Sequence, residues 1–195
     1  MKALTIVLMM IISTQFISAQ VKGDQNFPVP IKDSLIYYEA MMKANPNLTK
    51  EQLYQQVRHW AYTKLIVLPV TSPVLYENPS EGIISARLVF NTIKLGGALN
   101  TNYLLPHGII YIQIKEGRIK FIISDITYTH GQLIGNNYFE RLGNSKNLYI
   151  NATSDKFYKA QRNEFIYYLT EINNIIQAKL GTLYSFINKP LLDEF

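Results

Sequence analysis

The sequence predicts an α+β fold, an antiparallel sheet of about five strands with two helices packed on one of its faces, and three observations carry that prediction. Apolar residues alternate on both sides of a glycine turn, Ile110, Ile112 and Ile114 before Glu116-Gly117 and Ile119, Phe121 and Ile123 after it. Strands that alternate in this way have one face to bury, and an antiparallel sheet with one covered side satisfies them. Two other segments, near 50–65 and over 165–183, repeat apolar residues at the spacing of a helix face. The chain has 195 residues, 48% of them hydrophobic and 17% charged, and no cysteine. That is one domain with enough apolar material for a core. It excludes a disordered chain, a disulfide scaffold, a cysteine-ligated zinc site, a thiol nucleophile and the lipidated cysteine of a lipoprotein. The net charge of +5 is a mild excess, not by itself the footprint of a nucleic-acid binder.

Taken in order, residues 1–19 read as a signal peptide. Lys2 supplies the positive charge, an apolar run follows from Ala3 to Ile12, and Ile17-Ser18-Ala19 offers small residues for cleavage. The run falls short of the roughly 20 residues a membrane span needs, which favours an export signal over an anchor. No later stretch is long and apolar enough to span a bilayer, so the mature chain is expected to be exported, to the periplasm or the exterior. Residues 20–33 are expected to form a flexible, proline-punctuated leader, 34–187 a single domain, and 188–195 a tail.

Leu35 to Met42 suits a strand, although Glu39, Ala40 and Met41 leave a helix open, and Asn45-Pro46-Asn47 ends it. Thr49 and Gln52 form a capping box, with Leu48 and Leu53 at the flanking apolar positions. Leu53, Val57, Trp60, Ala61 and Lys64 then recur at helical spacing, which predicts a helix near 50–65 burying Trp60. Pro69 and Pro73 flank an extended segment ending at Tyr76, and Asn78-Pro79-Ser80-Glu81-Gly82 is turn chemistry. Ile84, Ala86, Leu88 and Phe90 alternate as a half-buried strand, after which Gly96-Gly97 and Asn100-Thr101-Asn102 read as a flexible loop.

The best hairpin spans 108–129. With Glu116-Gly117 as its two-residue loop, Ile114 pairs with Ile119, Ile112 with Phe121 and Ile110 with Ile123, all on one face, with Gln113 and Lys120 on the other. A one-residue slip would mix the faces, so the pattern fixes its own register. Residues 131–152 read as a polar connection rich in Asn and Gly, anchored by Tyr138 and Phe139. Ser154 or Asp155 is the expected cap of a long helix whose stripe is Phe165, Leu169, Ile172, Ile176, Leu180 and Leu183, and Asn188-Lys189-Pro190 ends it. The predicted order is strand, helix, four strands, long helix.

Several of these segments carry a resemblance. Thr49-Lys50-Glu51-Gln52-Leu53-Tyr54 with Trp60, the turn before 83–90, the hairpin about Glu116-Gly117, and Ile126-Thr127-Tyr128-Thr129-His130-Gly131 resemble a family of exported bacterial proteins of unknown function. The resemblance covers roughly 34–183 and implies a TATA-binding-protein-like (TBP-like) fold. Its motifs are structural, and it implies no active site that could be carried over.

The chemistry-bearing residues do not converge. His59 falls on the polar side of the first helix, His107 follows Pro106 in an expected loop, and His130 closes a strand before Gly131. None of their spacings is that of a metal site. Asp125 lies five residues from His130, on the opposite face of a regular strand unless a bulge intervenes. Serine-nucleophile and phosphate-loop patterns are absent. Fourteen tyrosines and nine phenylalanines admit a stacking surface for sugars or nucleic acid, but strand and core packing is the favoured reading, with Tyr111 facing outward. Arg87, Lys94, Lys115, Arg118 and Lys120 gather in the sheet region, yet solvent faces and edges of sheets ordinarily carry such residues, and export argues against DNA.

The expectation is therefore an exported noncatalytic binding or structural module of the cell envelope, with no catalytic, cofactor-binding or metal-binding residue assigned. Its expected partner is an envelope protein, glycan or lipid, met through the exposed sheet face or 131–152. Two alternatives compete with it. One is a small hydrolase using Asp125, His130 or His107 near 131–152. The other is a lipid or small-ligand carrier with an apolar cavity between sheet and helices, lined by residues such as Phe121 and Ile176.

Overall fold

A computed structural model describes residues 27–65, 72–97, 100–134, 137–156 and 158–189. The first half carries β1 (Ile31–Lys32), β2 (Leu35–Ile36), β3 (Tyr38–Lys43), α1 (Lys50–Lys64), β4 (Val74–Asn78), β5 (Ile83–Val89) and β6 (Ile93–Gly97). The second half carries β7 (Asn100–Lys115), β8 (Arg118–Ile134), β9 (Asn137–Asn144), α2 (Ser145–Thr153) and α3 (Lys159–Ile187). The 1–19 signal segment, Pro69 and the end of the tail lie outside the described residues.

The predicted hairpin is the spine of the molecule. Gly117 takes φ 67°, and the register is Ile114–Ile119, Ile112–Phe121 and Ile110–Ile123, as the alternation requires. All six are at most 3% exposed. Each such side chain contributes roughly 1.5–3 kcal/mol by leaving water, so the register is held by burial. β3 pairs with the turn-proximal half of β8, while β5 and then β4 extend the sheet from β7. β6 and β9 flank the distal half of the same two long strands, giving an antiparallel sheet of seven strands. A separate ribbon, β1 with β2, sits beside it.

A bulge divides the spine. The pairing jumps from Ile109–Ser124 to His107–Thr127, so that Asp125 and Ile126 of β8 stand opposite Gly108 alone, and Asp125 takes φ 52°. One extra residue on β8 reverses which positions face inward. Before the bulge the buried residues are Ile119, Phe121 and Ile123; after it they are Ile126 and Tyr128, while β7 keeps Leu104, Ile110 and Ile112 inside throughout.

The helices cover this inner face. At the start of α1 the capping box is present in both directions, Gln52 N–H donating to Thr49 Oγ1 at 3.2 Å and Thr49 N–H to Gln52 Oε1 at 2.9 Å. The helix buries Leu53, Val57, Trp60 and Ala61 as predicted, and Tyr54 as well, while Lys64 is exposed. In α3, Leu169, Ile172, Ile176, Leu180 and Leu183 are buried, with Tyr168 and Ile187 added and Phe165 half-buried. Polar contacts fix the layers: Trp60 Nε1 donates to Thr182 Oγ1 at 2.9 Å, and Tyr38 OH donates to Asn173 Oδ1 at 2.8 Å.

The class is α+β as predicted, but several elements differ from the sequence reading. The described residues hold three helices, not two, and more strands than five. Residues 96–102, expected as a flexible loop, supply the end of β6 and the start of β7. Residues 131–152, expected as a polar connection, continue β8 and form β9 and α2. Backbone pairing to a neighbouring strand holds these segments, so no apolar alternation was needed to make them strands. Asn144 caps α2 by accepting from Asn147 N–H at 3.1 Å. Neither Ser154 nor Asp155 caps the long helix: it starts after Tyr158, and Asp155 instead pairs with Arg162 at 3.1 Å. Part of the expected leader belongs to the fold, because Val29 is 3% exposed and packs in the core. The side chains of Tyr138 and Phe139 lie outside the described residues.

Candidate functional site

With three helices on one side, the other side of the sheet is open. Strand pleating assigns its residues. β3 presents Glu39, Met41 and Lys43; β8 presents Arg118, Lys120 and Ile122; β7 presents Ile109, Tyr111, Gln113 and Lys115. β5 adds Ile83, Ser85, Arg87 and Val89, and β4 adds Tyr76. On the distal half Lys94, Tyr103, His107 and Leu142 follow. Met41 is 64% exposed, Tyr76 53% and Leu142 86%, which leaves apolar surface facing water among cations. The three lie on β3, β4 and β9, spread across the face, with half-buried Tyr111 and Ile122 between the first two.

The end of the face near the hairpin turn is the most basic. Register aligns Lys43, Arg118 and Lys115 in one row across three strands, and Met41, Lys120 and Gln113 in the next. Met41, Gln113, Lys115, Arg118 and Lys120 line an open depression of about 130 Å³. Lys120 is paired with Glu39. Hydrogen bonding from Lys120, and then from Tyr37, holds the Glu39 carboxyl below its ordinary range. The same hydrogen bond raises the Lys120 ammonium.

The histidines and the aspartate of the sequence reading do not meet. His107 is half-buried on the open face, where burial, and then the Arg87 charge, depresses its basicity. His130 pairs with Leu104 on the distal half. Asp125 is exposed at the bulge, its Oδ2 accepting from the Ser124 hydroxyl at 3.1 Å. The bulge that could have joined Asp125 to His130 exists, yet no hydrogen bond links either to the other or to His107 among the described residues. His59 is exposed on α1, its ring 5.8 Å from that of Phe186. No group of three His, Asp or Glu side chains among the described residues is placed to hold a metal ion. Phe121 and Ile176, named for a carrier cavity, are 3% and 0% exposed within the core.

Sequence reasoning placed Arg87, Lys94, Lys115, Arg118 and Lys120 in the sheet region but left out Met41, Lys43 and Tyr76. The alternation Tyr38, Ala40, Met42 against Glu39, Met41, Lys43 was the available signal, blurred by residues equally at home in a helix.

No protein-family model and no curated protein matches the chain. Solved structures do. A DUF4468 family protein from Bacteroides ovatus superposes with a TM-score of 0.58 at 14% identity, covering 89% of this chain and 98% of its own. A TBP-like protein from Parabacteroides distasonis superposes with a TM-score of 0.52 at 16% identity, covering 80% of this chain and 97% of its own. At such identities the likeness is one of fold, and the fold is TBP-like. No helix among the described residues is long and apolar enough to cross a membrane.

Proposed function

We propose that the protein is an exported, noncatalytic binding module of the cell envelope that meets its partner through the open face of the sheet. The observation that carries this reading is the pairing on that face of exposed Met41, Tyr76 and Leu142 with a field of lysines and arginines. The apolar run and the Ile17-Ser18-Ala19 site of residues 1–19 support export, to the periplasm or the exterior. The dispersal of Asp125, His107 and His130 favours binding over hydrolysis, since general acid–base work needs groups within hydrogen-bond reach. Burial of Phe121 and Ile176 favours an external partner over a ligand carried inside.

The test is retention of envelope components by immobilised protein beginning at residue 20. A protein, glycan or lipid should be held by the wild type and released by the face variant Met41→Glu/Tyr111→Glu. Consistent failure to retain anything, or equal retention by the variant, overturns the reading.

A further inference from the structure

We infer that the basic end of the open face is a binding site for the phosphate group of an anionic lipid. This rests on the binding-module reading and names the partner's chemistry. Its first support is an arrangement the fold does not need. Like charges directly opposite one another across strands are destabilising, yet Lys43, Arg118 and Lys115 stand side by side in register. Among the described residues no carboxylate is ion-paired with the row: Glu39 is paired with Lys120, and Glu116 lies in the turn. An anion bound over the row removes that repulsion.

The second support is the surface beside the row. The depression is lined by cationic Lys115, Arg118 and Lys120, by Gln113, and by Met41, which is 64% exposed. Gln113 is its one neutral hydrogen-bonding side chain, so the surface reads charge and offers little to a patterned polar ligand. Arginine and lysine recognise phosphate, the first through its planar fork and the second as a point charge. A protruding methionine gives apolar contact to an acyl chain, which a free phosphate ion lacks. Charge complementarity together with this apolar contact selects a phosphate-bearing amphiphile over a soluble anion.

The experiment is cosedimentation of the protein from residue 20 with vesicles of phosphatidylglycerol in phosphatidylcholine, against phosphatidylcholine alone. The site variant is Lys43→Gln/Lys115→Gln/Arg118→Gln. The control variant, Lys146→Gln/Lys156→Gln/Lys159→Gln, removes the same charge from α2, the α2–α3 connection and the start of α3. A basic residue at an anionic surface is worth about 1 kcal/mol, or roughly fivefold in partitioning, so the site variant should bind on the order of a hundredfold more weakly. The control should lose far less, and added salt should weaken wild-type binding. Circular dichroism of both variants should match the wild type, since the substituted side chains are exposed. Absence of binding to phosphatidylglycerol, or equal losses in the two variants, overturns the site. Competition by glycerol phosphate at the concentration of accessible lipid overturns the lipid in favour of a soluble phosphate. Capture of an acidic protein through the same three cations, without vesicle binding, overturns the lipid while leaving the binding-module reading intact.

Discussion

Two glycines with nearly the same backbone conformation should respond very differently to the same substitution. Gly82 has φ 72° and Gly117 has φ 67°, so alanine at either position enters the left-handed region. That region costs an L-residue roughly 1–2 kcal/mol, offset by about 0.4–1 kcal/mol from a stiffer unfolded chain, which leaves Gly117→Ala near 1 kcal/mol. No atom outside its own neighbours lies within 4 Å of a Cβ at Gly117, so nothing is added. At Gly82 the Cβ would stand 2.5 Å from the carbonyl oxygen of Ile114 and 2.9 Å from Lys50 Cε. The lysine can swing away, but the carbonyl cannot, because Ile114 is fully buried in the hairpin and its N–H donates to Gly82 O at 2.7 Å. Moving that strand adds about 1–3 kcal/mol, the usual cost of overpacking, for a total near 2–4 kcal/mol. For a domain of this size that is about 5–15 °C in Tm for Gly82→Ala against about 2–4 °C for Gly117→Ala. Urea unfolding followed by Trp60 fluorescence, with m-values compared, measures both. Equal destabilisation of the two variants would refute the argument, because it would show that the turn at 79–82 does not press on β7.

The inner face of the hairpin should be unforgiving and the open face tolerant: Ile112→Ala should lose about 2–5 kcal/mol and Gln113→Ala stay within about 0.5 kcal/mol in the same urea titration. Thr182→Val removes the acceptor of the buried Trp60 indole N–H and should cost about 1–3 kcal/mol with a shift in tryptophan emission. His107 should titrate below its ordinary value by NMR, and Arg87→Gln should move it back up. Because its folded-state pKa is depressed, the unfolded chain binds the proton more readily, so stability present above the unfolded value near 6.5 is lost as pH falls through it. The wild type should therefore lose urea stability relative to His107→Gln between pH 7.5 and 5.5, and parallel curves would contradict the placement of this side chain.

How far the fold could be read depended on whether burial wrote a period into the chain. The Ile112–Phe121 pairing, the capping box at Thr49 and Gln52, and the stripe from Leu169 to Leu183 all place apolar or capping residues at fixed offsets, and each was legible. The stretches 96–102 and 131–152 were not. Their strands are held mainly by pairing with β7 and β8, and backbone hydrogen bonds leave no mark on side-chain order. Asn and Gly there were compatible with a loop until a partner strand lay alongside. The start of α3 and the part Val29 plays in the core were misjudged for a related reason, since Tyr158 gives no sequence sign of a helix start and Val29 is buried by what surrounds it.

The candidate site divides in the same way. The predicted hairpin brought Lys115, Arg118 and Lys120 to the sheet region, and alternation turned Gln113 and Lys120 outward. That Lys43 stands beside Arg118 and Lys115, with Met41 in the second row beside Lys120, required β3 to pair with β8 across 74 or more residues of intervening chain. Likewise the bulge at Asp125 decides that Tyr128 turns inward and that Asp125 stays apart from His107 and His130. The sequence by itself determined the class, the register of the central hairpin and the faces of two helices, because burial is a local periodic constraint on each element. Only the tertiary structure decided which strands lie side by side and hence which charges gather, because long-range pairing is chosen by the whole core and not by any one segment.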